Sequence, residues 1–413
     1  MIKYDLIIVG AGPAGLMLAR QLDDTNLDIL LVDQKKKLGS TNTGIYGCVR
    51  HVIDRLGLTE YIVNKPTGMY LYGSKQITGF KYKSCPYVNV DINKWAKELR
   101  LKCNKKLSTK ILGIEKKDNG YIVMDDKKNK YYGEIVVDCT GNNQVLSSIL
   151  GIRRSAQDFY SASFELENCS IPKERASEVA IAYDRTYTNY GIWFYNYGRK
   201  KCQFGMGDMV GAKDIPTKEI IKRAKQAMSR EPWSIWLKDA KIEKESVGFG
   251  PTIGAHKPIV LDNFVSIGNA AGTGLPFIGV GLRFALEMSD YASQIIHRSI
   301  ILDDCSTKQL SAIKKEFNRR YSRNFFYMQI FQQLGLKYME QKDWDLFLDK
   351  FSKDFNSGEG YRLAYGDLDL PLLLKMFSFR SGMRMFFNII NFHLPKFLRF
   401  KERKCIPPFD SRR

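Results

Sequence analysis

Three glycines in the run Gly10-Ala11-Gly12-Pro13-Ala14-Gly15 have the spacing that lets a backbone close around a diphosphate. Gly10 permits a tight turn, Gly12 lets the main chain approach a pyrophosphate, and Gly15 lets a helix pack closely on a strand. The apolar stretch 4–9 before them reads as a buried parallel strand, and 13–24 after them as a helix. Phosphates would then meet the unpaired N–H groups of a helix start, where the dipole favours anions. A second strand, 28–33, ends in Asp33, 18 residues beyond Gly15, where a carboxylate can hold ribose hydroxyls. A glycine-rich structural turn is the rival reading. The coincidence of strand, glycines, helix and terminal acid favours a dinucleotide-binding unit.

Two later segments select FAD over a nicotinamide. Residues 134–141 (EIVVDCTG) form an apolar strand that ends in a small-residue turn at Gly141, bringing the chain back beside the dinucleotide. Residues 264–281 give a strand and a glycine-rich loop with Gly268, Asn269, Gly279 and Gly281, leading into a helix over 280–299. That loop can wrap a ribityl chain, and the new helix start can stabilise an anionic reduced flavin. An unrelated strand–helix unit is the alternative.

With these motifs in place the chain resembles the geranylgeranyl reductase family, a branch of the p-hydroxybenzoate-hydroxylase-like FAD oxidoreductases, over roughly residues 1–300. The resemblance rests on GAGPAG, on Gly47-Cys48, on IGNAAGTGLPFIGVGL, and on Tyr190-Gly-Ile-Trp193-Phe194 followed by Phe204-Gly205-Met-Gly207. It implies FAD contacts at Ala14, Asp33, Cys48, Gly281 and Leu282, with Gly10, Gly12, Pro13, Gly15, Gly47, Ile111, Gly141, Gly268, Asn269 and Gly279 completing the lining. It also implies an isoprenoid pocket along Tyr190, Trp193 and Phe194, a Gly205–Gly207 turn, and Cys48. Each aromatic taken singly reads as sheet core, and Cys48 as a small buried hydrophobe. The chain departs from the family pattern at Asn269 (usually Asp), Asn93 (Arg), Tyr195 (Pro) and Val280 (Glu).

The implied activity is saturation of geranylgeranyl double bonds in a membrane lipid or its precursor, with hydride from flavin N5. No catalytic residue is assigned, because no His or carboxylate can be named as proton donor. A second nicotinamide fingerprint is absent, so electrons are expected from docked NAD(P)H or a ferredoxin-like protein. An FAD monooxygenase or halogenase acting on an aromatic, a lycopene-cyclase-like flavoprotein and a flavin-bearing electron-transfer protein remain as rivals.

The elements that position these residues give an α/β chain, α+β overall. The expected architecture is a Rossmann-like FAD-binding domain (1–66, 91–157, 246–300), an inserted antiparallel-sheet substrate domain (67–90, 158–245) and a helical basic C-terminal domain (301–413). Lys and Arg number 64 against 44 Asp and Glu, a formal charge of +20, which favours anionic partners or reflects solvated charged faces. Eight scattered Cys without a CxxC pair and only four His argue against a zinc or iron–sulfur site, so no metal is expected. From Lys375 to Arg413, ten Lys or Arg and two acids alternate with Phe, Met and Ile. That segment either lies in an anionic lipid interface or packs on the domain with a basic face to solvent. The expected location is cytoplasmic, with peripheral contact on the inner membrane face. No nucleic-acid partner is expected, since no such motif accompanies the charge.

Overall fold

The computed structural model describes residues 1–39, 44–73, 77–82, 86–152, 158–209, 217–251, 259–276 and 279–376. Strand Ile2–Val9 is central because its inner residues can be buried on both faces: Leu6, Ile7 and Ile8 are wholly inaccessible. It pairs in parallel with Lys130–Asp138 on one side and Ile29–Val32 on the other. Asn104–Lys106 continues the sheet beyond Ile29–Val32, and Phe264–Ser266 continues it beyond Lys130–Asp138. The strand order therefore reverses at Ile2–Val9, and the crevice at such a reversal, above the carboxyl ends, is where open α/β sheets bind ligands. Gly120–Asp125 pairs antiparallel with the first half of Lys130–Asp138, and Ile111–Lys117 pairs antiparallel with Gly120–Asp125.

Helices Pro13–Leu22 and Leu282–Ile301 pack on one another against the sheet. Small residues permit their approach. Ser289 Oγ reaches Ala14 O at 2.9 Å, and a Cβ at Gly268 would lie 3.1 Å from Ala14 and 3.3 Å from Ala285.

A seven-stranded sheet forms the second layer, with the strands ordered Lys241–Pro251, Asp158–Glu167, Lys201–Met209, Gly191–Asn196, Glu178–Ala182, Gly68–Tyr72 and Ile77–Lys81. Its pairs are antiparallel except for Gly68–Tyr72 against Glu178–Ala182, which run parallel. One face is covered by helices Thr217–Met228 and Trp233–Trp236 over Ile192, Phe204 and Met206. The segment 67–90, read from sequence as belonging to this layer, divides: Tyr87–Asp91 pairs with Ile45–Val49 and Ile62–Asn64 in a separate small sheet. Its Val88, Asn89 and Val90 are all wholly buried, and alternation in sequence does not say which partner covers them.

Helices Thr307–Tyr338, Gln341–Asp354, Ser357–Tyr365 and Leu370–Met376 close the open end. Reciprocal capping fixes two starts, at Glu340 with Asp343 and at Asn356 with Glu359. Trp344 stacks on Tyr183 of the sheet layer at 4.2 Å and 3°. Of the basic tail, only Lys375 and Met376 are described; the call on residues 377–413 lies outside the described residues. Lys375 pairs with Glu359 at 2.7 Å. No helix among the described residues is long and apolar enough to cross a membrane.

Candidate active site

The carboxyl ends of three parallel strands deliver the first residues of the site. Val9 leads into Gly10, Val32 into Asp33, and Asp138 into Cys139. Gly10 adopts φ +107°, and a Cβ there would lie 2.3 Å from Cys139 O, so the turn requires glycine. At Gly12 a Cβ would meet nothing within 4 Å: the backbone borders open space. Helix Pro13–Leu22 starts there without a side-chain cap, so its first N–H groups face that space. Asp33 is held ready, its Oδ2 accepting from Ala11 N at 2.6 Å and its Oδ1 from Lys35 N at 2.7 Å. Each oxygen retains a lone pair for a ribose hydroxyl.

The return strand brings a feature the sequence reading missed. Asp138 is wholly buried; Oδ1 accepts from Thr140 N (2.9 Å) and Thr140 Oγ1 (2.6 Å), and Oδ2 from Ser147 N (2.8 Å) and Oγ (2.6 Å). Ser147 Oγ in turn meets Ser266 Oγ at 2.8 Å, tying this turn to the strand before Gly268. Its signal was present in VVDCTG, but an acid at a strand end looks the same whether it faces solvent or a hydrogen-bond network.

These residues border one cavity of about 580 Å³. Gly10, Gly12, Pro13, Ala14, Asp33, Gly47, Ile111, Gly141, Asn269, Gly279, Gly281 and Leu282 line it. Gly15 and Gly268 lie behind the lining, where they set the packing of the two helices. Asn269, the amide in place of the usual acid, has a buried Oδ1 with no hydrogen-bond partner, 2.7 Å from where a Cβ at Gly281 would lie. A buried acceptor left unpaired costs about 1–3 kcal/mol, which a ribityl hydroxyl would relieve. Open helix starts, a prepared acid, an orphaned acceptor and a Cβ-free cradle together fit an FAD.

From there the cavity continues between the seven-stranded sheet and the C-terminal helices. Met69, Leu71 and Ile181 line one wall, and Met328, Phe331, Phe347, Phe351, Leu363 and Met376 the other. The helical residues escaped sequence reading because their spacing marks a buried face but not what that face covers. Tyr190 and Trp193 line the cavity as expected, and burial holds the Tyr190 phenol well above its usual range.

Four expected positions behave differently. Phe194 points to the opposite face and stacks on Trp233 at 4.9 Å, because successive strand residues alternate faces. Gly205 and Gly207 lie in strand Lys201–Met209, not in a turn, and neither lines the cavity. Gly205 stands directly opposite Trp193, whose indole covers it; a Cβ at 205 would lie 2.1 Å from Trp193 Cε2. Gly207 O accepts from the Thr188 hydroxyl. Cys48 is wholly buried in the core beside the cavity-lining Gly47, and burial pushes its thiol up to about 12. At pH 8 roughly one such thiol in ten thousand is ionised. Iodoacetamide at that pH should leave Cys48 unmodified in the native protein and label it after denaturation, as mass mapping would read. Native labelling would place the thiol on the cavity. Among the described residues no cluster of His, Cys, Asp or Glu could hold a metal.

The digeranylgeranylglycerophospholipid reductase of Methanococcus vannielii is 23% identical over 393 residues, 91% of this chain and 98% of that protein. A second such reductase, from Methanosphaera stadtmanae, is 21% identical over 91% of this chain and 96% of the relative. A geranylgeranyl bacteriochlorophyll reductase-like protein from Thermoplasma acidophilum shares the fold at a TM-score of 0.80 and 16% identity, covering 95% of this chain and 99% of that one. A flavin-dependent brominase, Bmp2, shares it at 0.67 and 16% identity over 94% and 99%. The family model described as lycopene cyclase protein matches residues 5–176. The resemblance read from the motifs thus extends along most of the chain, and the fold is that of the geranylgeranyl-reductase-like flavoproteins.

Proposed function

We propose that this chain is an FAD-dependent oxidoreductase that saturates isoprenoid double bonds of a membrane lipid or its precursor. One observation carries the reading: a single cavity runs from the dinucleotide crevice into an apolar arm between the seven-stranded sheet and the C-terminal helices. The reductases named above support it. FAD bound in the crevice supplies, when reduced, a hydride for one alkene carbon. The protein's task is to hold a flexible chain against that site and exclude water. Gly10 to Ala14 and Asp33 would hold the adenosine and diphosphate end, with Asn269 and Gly279–Leu282 at the ribityl chain and ring. Met69, Leu71 and Ile181 would press the prenyl chain against Phe347 and Phe351.

In this reading the sheet built around Ile2–Val9 and its two helices serve the cofactor. The seven-stranded sheet and the C-terminal helices serve the substrate, and electrons come from NAD(P)H or a ferredoxin-like protein. The basic segment 375–413 would bring the enzyme to the cytoplasmic face of a membrane. Liposome flotation with and without that segment tests this last point, and equal binding by both forms would reject it.

Dithionite-reduced, FAD-loaded protein given a geranylgeranyl lipid should yield mass gains of about two units per saturated bond. No gain, with oxygen-dependent conversion of an aromatic compound, would put a monooxygenase or halogenase in its place. Isomerisation of a polyene at constant mass would favour the cyclase.

A further inference from the structure

The face of the seven-stranded sheet that looks into the cavity is laid out in rows by strand register. Gly191, Gly207, Ser161 and Gly248 form a row of small residues, Trp193, Gly205, Ser163 and Ser246 the next, and Tyr195, Gln203, Glu165 and Lys244 the third. The first two rows give room and one broad aromatic surface. The third is polar. Gln203 is 3% exposed and Ser163 5%, and both line the cavity. The Gln203 amide brings two N–H donors and one acceptor oxygen to this face.

Beside them lie Tyr87 and Tyr195, their ring centres 6.4 Å apart. A phenol that stays protonated has one proton to donate. Burial holds the Tyr87 phenol well above its usual range, so that proton is retained. The Tyr87 hydroxyl sits in the space that glycine leaves free at 47, where a Cβ would fall 1.5 Å from it. Donors and acceptors buried in this way need partners, and an apolar chain offers none.

The charge of the missing partner follows from what surrounds it. Among the described residues, the lysines and carboxylates that line the cavity are Asp33, Lys35 and Lys110, all on the dinucleotide side. Lys244, at the end of the polar row, is paired with Glu165 at 3.5 Å and does not line the cavity. A phosphate buried on this row would lack a cation, at a large desolvation cost.

We infer that Tyr195, Gln203 and Ser163 form a subsite for an uncharged oxygen-bearing group of the substrate, a hydroxyl or an ether oxygen next to the prenyl chain, and that phosphate is excluded from it. This rests on the reading of the apolar arm as a prenyl site. It goes beyond that reading by fixing the class of head the chain must carry.

Binding tests it without turnover. FAD-loaded protein in mild detergent is titrated calorimetrically with geranylgeraniol, geranylgeranyl phosphate and a headless polyprenyl hydrocarbon of equal length. The alcohol should bind on the order of tenfold more tightly than the hydrocarbon, the worth of one good buried hydrogen bond. Gln203→Leu should abolish that preference and leave the hydrocarbon's Kd unchanged. Ser163→Ala, which removes a single oxygen, should reduce it part-way and guards against a folding defect in the larger change; a native flavin spectrum confirms each fold. Tighter binding of the phosphate than of the alcohol, or equal weakening of alcohol and hydrocarbon by Gln203→Leu, overturns the inference. Selective binding without any reduced product would sink the reductase reading and leave the subsite standing.

Discussion

A Gly12→Val variant should fold as stably as the parent and bind FAD at least about a hundredfold more weakly, a loss of about 2.7 kcal/mol. The backbone at 12 is extended, with φ −80° and ψ −171°, so a branched side chain brings no strain. A Cβ there meets no protein atom within 4 Å, and the new side chain enters only the space reserved for the diphosphate. Gly15→Ala should do the reverse. Its Cβ would lie 1.9 Å from Gly10 O and 3.3 Å from Cys139 Cβ, and a backbone carbonyl cannot swing aside as a side chain can. A stability loss of about 3 kcal/mol is expected, despite alanine's better helix propensity. Thermal melts and FAD titrations of the two variants separate packing from cofactor space. If Gly12→Val keeps the parent's FAD affinity, the cofactor does not lie where the crevice puts it.

Asp138→Ala should cost about 3–5 kcal/mol, an effect large for one residue and confined to no surface. Four donors converge on this wholly inaccessible carboxylate, and alanine leaves the Thr140 and Ser147 N–H groups without acceptors. Asp138→Asn keeps the shape but must turn an NH2 toward donors on one side, so it should recover only part of the loss. The turn that follows, Cys139 to Asn143, lines the cavity, so FAD release should accompany the fall in denaturation midpoint. A change below about 1 kcal/mol would mean that water replaces the carboxylate and that the network is not what holds this turn.

Local rules were enough for the cofactor side. The strand–glycine–helix unit, the acid at 33 and the glycine-rich loop before Leu282 each follow from short-range geometry, and the structure brings them to one crevice. The substrate side was legible only in part. Tyr190 and Trp193 lie where the motif implied, whereas Phe194, adjacent in sequence, belongs to the helix-covered face. Cys48 is displaced in the same way by one position from Gly47. A motif names a strand; pleating decides which half of it is seen by a ligand.

Readable from the chain alone are the glycine-bearing βαβ start, the glycine-rich loop after Phe264–Ser266 and the helical end. These depend on φ preferences and on the 2.0 and 3.6 periodicities within a few residues of each other. It takes the folded chain to show that Phe347 and Phe351 line the same cavity as Met69 and Leu71, that Gln203 stands beside Tyr195, and that Asp138 gathers Thr140 and Ser147. Such meetings join residues far apart in the chain or set by strand register. Register and packing are fixed by the whole set of buried contacts, which no short window of residues contains.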